Sequence, residues 1–491
     1  MTKRKLVLLA LLGLLVLPAP SAGQGVGVNG KARTYVSYLQ VRDLVQDSVL
    51  AAAVPGDGVQ RTLDDGTRVT CTDGWCRFFR SGSDVGIVPF LQDFELNAWS
   101  GIQGLRGYTH FRIRMQPPFG EADLWPRMNS DVEALAAYLE YRRSNYMMKA
   151  GRIWQSTSLG FYNYDGGSFQ LRLPSQLELN AYGGLSLVRG LNQLYNTDLI
   201  GSVEALEPRE DAYIFGLNGR WRPIPSLATS FIYQKESTTH QGNTYSERIA
   251  GSARVLIQKA SVDVELKYDL ASETTNLARL AVAAPLGAGL RVSGEVRKYV
   301  PFFELWTIWG AFSPVGYEEV RTRVDWMSPT GRFSARGHWS HRVYGDTETS
   351  DLSPTLQVSD DAYRMGIGGR YSIRDDLVLD GEYRHDVGFG ASRSGGDISL
   401  QQTFGPGKYL GFRGTGFDSF SEFGVGSGRV LGGGIQGAMP LGSAKLQASA
   451  MFYKHQQTDR PQILDLNQAR LNFILEVPIG GDPGMSRGGD R

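Results

Sequence analysis

Cysteine is nearly absent from this chain of 491 residues, which has two, Cys71 and Cys76. Two thiols with no histidine nearby cannot complete a tetrahedral metal site. Histidine is scarce too, at six residues. His338 and His341 stand three apart in an alternating segment, so they fall on opposite faces and do not converge on a metal. No G-x-S-x-G, H-E-x-x-H or P-loop occurs. With no nucleophile–base set and no cofactor motif, an enzyme is not expected. Long hydrophobic runs are missing after residue 20, where nothing nears the ~18 apolar residues a spanning helix requires. Neither sign of charge dominates, with 51 basic against 50 acidic residues, so nothing favours a nucleic-acid partner.

Glycine is plentiful at 61 residues, and aromatics reach 11 %, a mixture suited to many strands and tight turns. The chain opens "MTKRKLVLLALLGLLVLPAPSAGQG". Lys3, Arg4 and Lys5 form a basic region, Leu6 to Leu17 an apolar core, and Ser21-Ala22-Gly23 a small-x-small site, which reads as a cleaved signal peptide over 1–23. The G-x-G-x-x-G match "GVGVNG" (25–30) lacks a preceding strand and a following helix. It reads as part of a short, flexible amino terminus over 24–31. In an exported chain the two cysteines of "RVTCTDGWCRFF" are expected to pair, since Asp73-Gly74 marks a hairpin turn between them.

Alternation is the dominant signal. In "LRGYTHFRIRM" (105–115), Leu105, Gly107, Thr109, Phe111, Ile113 and Met115 share one side of a strand. Arg106, Tyr108, His110, Arg112 and Arg114 share the other. The pattern recurs in "SVDVELKYDL", "LRVSGEVRKY", "EVRTRVDW" and "RFSARGHW". Such segments run about ten residues, the length of a tilted strand crossing a bilayer. Trp221, Trp326, Trp339 and Tyr371 fall on the apolar phase, as an interfacial girdle requires. The expected fold is all-β, a transmembrane antiparallel barrel of about 22 strands (range 18–22).

Twenty-two segments can be delimited between 32 and 478, the weakest being 146–154 and 167–184. Every second connection is short, and the others are longer, notably 43–91 and 185–211. Short periplasmic turns alternating with long extracellular loops fit a barrel with both termini in the periplasm. The layout is then a barrel over 32–480, an outer loop 43–91 stapled by the disulfide, and a flexible periplasmic tail over 481–491. The location is the outer membrane of a diderm bacterium, with lipid and the barrel-assembly machinery as partners.

"YMMKAGRIWQSTSLGFYNYDGGSFQL" resembles the strand–loop–strand signature of bacterial porins and related export barrels over some 30 residues. Gly151-Arg152 holds the place where the upward strand ends, and Asp165-Gly166 the start of the descent after an outer loop. Ile153 stands where that family usually has glutamine. The resemblance implies a transmembrane conduit and no particular substrate.

A lumen this wide cannot be filled by wall side chains alone. The expected function is passage of small hydrophilic, preferentially anionic, solutes. A polymer-export barrel and a structural or adhesive barrel are the rivals. The expected pore-lining residues are Arg106, Arg112, Arg114, Arg152, Arg291, Arg297, Arg321, Arg323, Arg336, Arg364 and Arg370, with Arg220, Arg222, Arg248 and Arg254 on the same phase. Loops 43–91 and 185–211 are long enough to fold inward, and Trp306 and Trp309 of "LWTIWGAF" would line the outer mouth.

Overall fold

The computed structural model describes residues 27–480 except 65–67, 100, 116–131, 188–211, 239–243, 301–315, 346–360, 389–390, 421–427 and 458–465. The predicted signal peptide, the 481–491 tail, nearly all of loop 185–211, and both Trp306 and Trp309 therefore lie outside the described residues. Within them the only helical element is a single 3-10 turn, Ala51–Ala53.

The strands are β1 (Gly27–Leu50), β2 (Gln60–Thr62), β3 (Arg68–Thr72), β4 (Trp75–Ile87), β5 (Phe90–Trp99), β6 (Leu105–Met115), β7 (Val132–Arg142), β8 (Tyr146–Thr157) and β9 (Gly160–Arg172). Next come β10 (Leu177–Ser186), β11 (Ala212–Ile224), β12 (Leu227–Thr238), β13 (Thr244–Ile257), β14 (Ala260–Asp269), β15 (Thr274–Gly287), β16 (Leu290–Tyr299) and β17 (Tyr317–Met327). The last are β18 (Phe333–Tyr344), β19 (Asp361–Arg374), β20 (Leu377–Gly388), β21 (Ala391–Gly405), β22 (Lys408–Phe420), β23 (Gly428–Leu441), β24 (Ala444–Gln457) and β25 (Leu466–Ile479).

β5 to β25 pair in sequence, each antiparallel to the next, and β1 joins β5 on one side and β25 on the other. The circuit closes with 22 strands, each paired to a neighbour on both sides. Closure depends on residues taken for a flexible terminus, because Gly30 pairs with both Ile479 and Leu96. Residues 27–31 already belong to the wall, ahead of the expected start at 32, since a closed barrel must hydrogen-bond its first strand along both edges.

Register lines side chains into rows. Val264, Leu280, Val296 and Val320 are successive partners across β14–β17. All four are exposed, and so are Phe111, Ile367, Phe412 and Phe452 on the same phase. One position along, Glu265, Arg279, Arg297, Glu319 and Arg342 form a row of alternating charge. A bilayer accepts only the first face, so the barrel's exterior is apolar and its charged face turns to the lumen. This is the wall of an outer-membrane-type transmembrane barrel.

Two features depart from a plain cylinder. Segment 43–91 is not a loop, for β1 runs to Leu50 and its upper half pairs with β4, which carries β3 and β2 beside it. The four strands make a β arm continuing the wall. The alternating segments 39–50 and 75–87 pair with each other once the ladder from β1 to β25 stops at Leu39 and Arg470. Cys71 and Cys76 face each other across the β3–β4 turn and are disulfide-bonded. Asp73 and Gly74 take positive φ, 55° and 81°, the hairpin geometry that Asp-Gly favours. The bridge lies within a small core with Val54 and Val69.

The second departure is the β8–β9 hairpin. An outer loop was expected over residues 153–164, but β8 and β9 continue through them to a tight turn and pair from Tyr146–Leu171 to Thr157–Gly160. The weak segments 146–154 and 167–184 are strands of the wall.

Candidate functional site

Of the eleven arginines expected to line the pore, ten lie on the lumenal phase, and seven of these hold a carboxylate on their own strand or one nearby. Arg112 grips Asp93 with two hydrogen bonds, 2.8 and 2.9 Å. Arg114 meets Glu133 at 2.7 Å, Arg323 meets Asp325 at 2.7 Å, and Arg364 meets Asp386 at 2.8 Å. Arg336 bridges Asp380 and Glu382, at 3.1 and 2.9 Å. Arg106, Arg291 and Arg370 make no ion pair among the described residues.

Arg297 and Arg321 belong to one node on β16–β18. Glu319, whose side chain is 1 % exposed, takes ion pairs from Arg297, from Arg321 at 3.2 Å and from Arg342 at 3.0 Å. The Arg297 and Arg342 guanidiniums also stand over the Tyr317 ring, 5.4 and 4.8 Å from its centre. A carboxylate taken this far out of water is tolerated because three cations surround it. Arg342 and Arg279 escaped the sequence reading, although both sit on the charged phase of their strands.

Arg152 is the exception. Its ladder partners place it on the phase of Met148 and Phe169, which is the exterior phase of the wall. It pairs bidentately with Asp165, 2.9 Å on both contacts. The Gly-Arg and Asp-Gly pairs thus face each other across one hairpin instead of bracketing a loop.

The bend of that hairpin explains how a charged pair stands on the exterior phase. β9 and β13 are four strands apart, about 19 Å along the wall at ~4.8 Å per strand. Yet the carbonyl oxygen of Leu159, in the hairpin turn, accepts a hydrogen bond from Arg248 of β13 at 3.4 Å. Arg248 also donates to the Tyr162 hydroxyl at 2.5 Å. The upper hairpin therefore folds inward over the lumenal face of β10–β13. Its inner-phase residues Ile153, Tyr162 and Tyr164 are buried against Tyr182, Ile214, Ile232 and Ala250, with Tyr164 and Tyr182 stacked at 5.7 Å. The fold line runs between β9 and β10, where Gly166 and Gly184 stand on the concave side. A Cβ at Gly184 would lie 2.3 Å from the Asp165 carbonyl oxygen, so no other residue fits there.

The inward fold expected of loops 43–91 and 185–211 is made, among the described residues, by this hairpin. Its signal was a patch of apolar residues on the inward phase. Ile214 and Ile232 are apolar where the rest of the wall is charged, on strands that also carry apolar residues outward.

Away from the hairpin, two lumenal cavities carry excess positive charge. One, of about 680 Å³ against β13–β17, is lined by Arg254, Lys259, Arg279, Arg291, Arg321 and Arg323 but only Asp263 and Glu295 among acids. The other, of about 670 Å³ against β17–β20, is lined by Arg321, Arg323, Arg336, Arg364 and Arg384 against Glu382 and Asp386.

No protein-family model matches the chain, and no curated protein matches it. Among solved structures it is similar to OccAB4 of Acinetobacter baumannii (10 % identity, 93 % of this chain and 100 % of that one, TM-score 0.41). It is also similar to a BenF-like porin from Pseudomonas fluorescens Pf-5 (10 % identity, 92 % and 98 %, TM-score 0.43). A third is Pseudomonas aeruginosa OpdK, solved with vanillate (9 % identity, 92 % and 98 %, TM-score 0.38).

Proposed function

We propose that the protein is a porin-like channel of the outer membrane that lets small hydrophilic solutes, preferentially anionic ones, diffuse across. The observation that carries this reading is the wall itself, 22 strands closed into one circuit, apolar outside and charged inside. A circular barrel of that strand number has a diameter on the order of 40 Å at ~4.8 Å spacing and about 40° tilt. Paired arginines and carboxylates along the wall stiffen it and keep it wet. The anionic preference is supported by the two cavities, where basic side chains outnumber acidic ones, and by Arg291, which makes no ion pair within 4 Å among the described residues and stands opposite an Asp325 already held by Arg323. Guanidinium groups bind carboxylate and phosphate oxygens in a two-pronged geometry that small cations cannot use.

The test is single-channel recording in planar bilayers under a salt gradient. The expected result is a steady conductance with a reversal potential on the anion side, moved toward cations by Arg291→Glu with Arg321→Glu. A protein that folds, inserts and passes no current overturns the channel reading. A conductance that prefers cations overturns only the anionic part.

A further inference from the structure

We propose that the folded tip of the β8–β9 hairpin is a gate, latched shut in this structure by Arg248. The proposal rests on the channel reading and adds a moving part to it.

Three observations carry it. First, the wall is interrupted beside the tip. The β7–β8 ladder has six pairs and stops at Ala137 and Arg152, while β8 continues to Thr157 and β7 to Val132. Residues 132–136 of β7 therefore have no strand on that side among the described residues. Side chains stand in, as Arg152 donates to the Ala134 carbonyl at 3.0 Å and Asn163 to the Leu135 carbonyl at 3.0 Å. Second, the departure point is a hinge, for Gly151 adopts φ +129°, a conformation closed to side-chain-bearing residues. Third, the face beneath the tip keeps polar groups that a permanent core would exclude. Gln234 and Glu236 are almost fully buried there, and Gln234 Nε2 has no hydrogen-bond partner.

These features define two arrangements of one element. In the closed one, Arg248 holds Leu159 and Tyr162, and β7 is capped by side chains. In the open one the tip swings back toward the wall, the unpaired edge of β7 takes β8 as its strand partner, and Gln234 and Glu236 meet water. The open form replaces side-chain caps with backbone hydrogen bonds, and the closed form buries Ile153, Tyr162 and Tyr164. An element with two satisfactory packings is what switching requires.

Spin labels on Ser158→Cys, at the hairpin turn, and Lys259→Cys, at the base of β13–β14, read the motion directly. The native cysteines are consumed in the disulfide. The full-length protein in liposomes should give a short and a long distance, and Arg248→Met or Tyr162→Phe should raise the long fraction several-fold. In single-channel records the same variants should add a larger conductance level. Tyr162→Phe removes one hydroxyl alone, so it remains informative if Arg248→Met fails to fold. One narrow distance in all three proteins, with unchanged conductance, overturns the gate and leaves the channel. Absence of conductance in both wild type and Tyr162→Phe overturns the channel reading beneath it.

Discussion

Two adjacent glutamates on β17 make a quantitative test of the wall. Glu319 faces the lumen, is 1 % exposed and is shared by three arginines, whereas Glu318 faces the other way and pairs with Lys298 at 3.4 Å in the open. Glu319→Gln keeps the shape and removes the charge, leaving Arg297, Arg321 and Arg342 to repel one another. Guanidiniums that share a carboxylate sit on the order of 6 Å apart, where like charges repel by roughly 2–3 kcal/mol at an effective dielectric near 20. Arg297 retains a longer contact to Glu295, 3.8 Å, and all three guanidiniums touch water. The expected loss is therefore about 2–3 kcal/mol, below the ~3–5 found when a fully buried pair is broken. Glu318→Gln, an exposed pair, should cost under ~1 kcal/mol. Urea unfolding of the liposome-inserted protein measures both, and reversal potentials should shift toward anions for Glu319→Gln alone. Equal midpoints for the two variants would refute the claim that Glu319 is the compensating charge of a buried node.

Further outcomes follow from the same geometry. Phe111, exposed on the exterior phase, should tolerate leucine, whereas Phe111→Arg should cost about 2–4 kcal/mol and slow assembly, read by heat-modifiable gel mobility. Arg112→Glu should also destabilise, because it sets a second carboxylate against Asp93. Adding Asp93→Arg should restore much of the loss, and no rescue would argue against the pair. Cys71→Ser should release about 2 kcal/mol of local constraint, as a six-residue loop closure implies, so protease should cut the arm while the barrel keeps its mobility. Loss of the barrel itself would show that the arm is needed for closure. A tag at Gly407, in the short β21–β22 turn, should be hidden from antibody on intact cells and a tag at Ser353 reachable. The reverse would invert the orientation.

What the sequence made legible was whatever obeyed one rule over most of its length. A strand that crosses a bilayer must put apolar side chains out and polar ones in, and LRGYTHFRIRM, LRVSGEVRKY and their like obey it apart from single positions such as Thr109 and, near a strand end, Lys298. Strand number, closure by even parity and the lumenal phase of Arg106, Arg112 and Arg291 follow from that rule. The β1–β4 arm also alternates, but segment 43–91 was read as one long connection. Alternation reports a two-faced strand and is silent about its partner, so the upper half of β1 read as loop although it pairs with β4.

The hairpin failed for a more instructive reason. Over residues 152–165 the rule fails because both phases carry apolar residues: Ile153, Tyr162 and Tyr164 occupy inward positions, while Arg152 and Asp165 share the outward phase with the exposed Trp154 and Phe161. Taken strand by strand, a segment apolar on both phases looks like noise and suggests a loop. Taken with β10–β13 it has one physical meaning. Tyr182, Ile214, Ile232 and Ala250 are apolar on lumenal positions, where water should face them, so something apolar must cover them. The β8–β9 tip is the segment nearby whose inward face is apolar enough to do so. A barrel whose inner face turns apolar along several adjacent strands thus announces an inserted element. A segment elsewhere in the chain that carries apolar residues on its inward phase as well identifies which element it is.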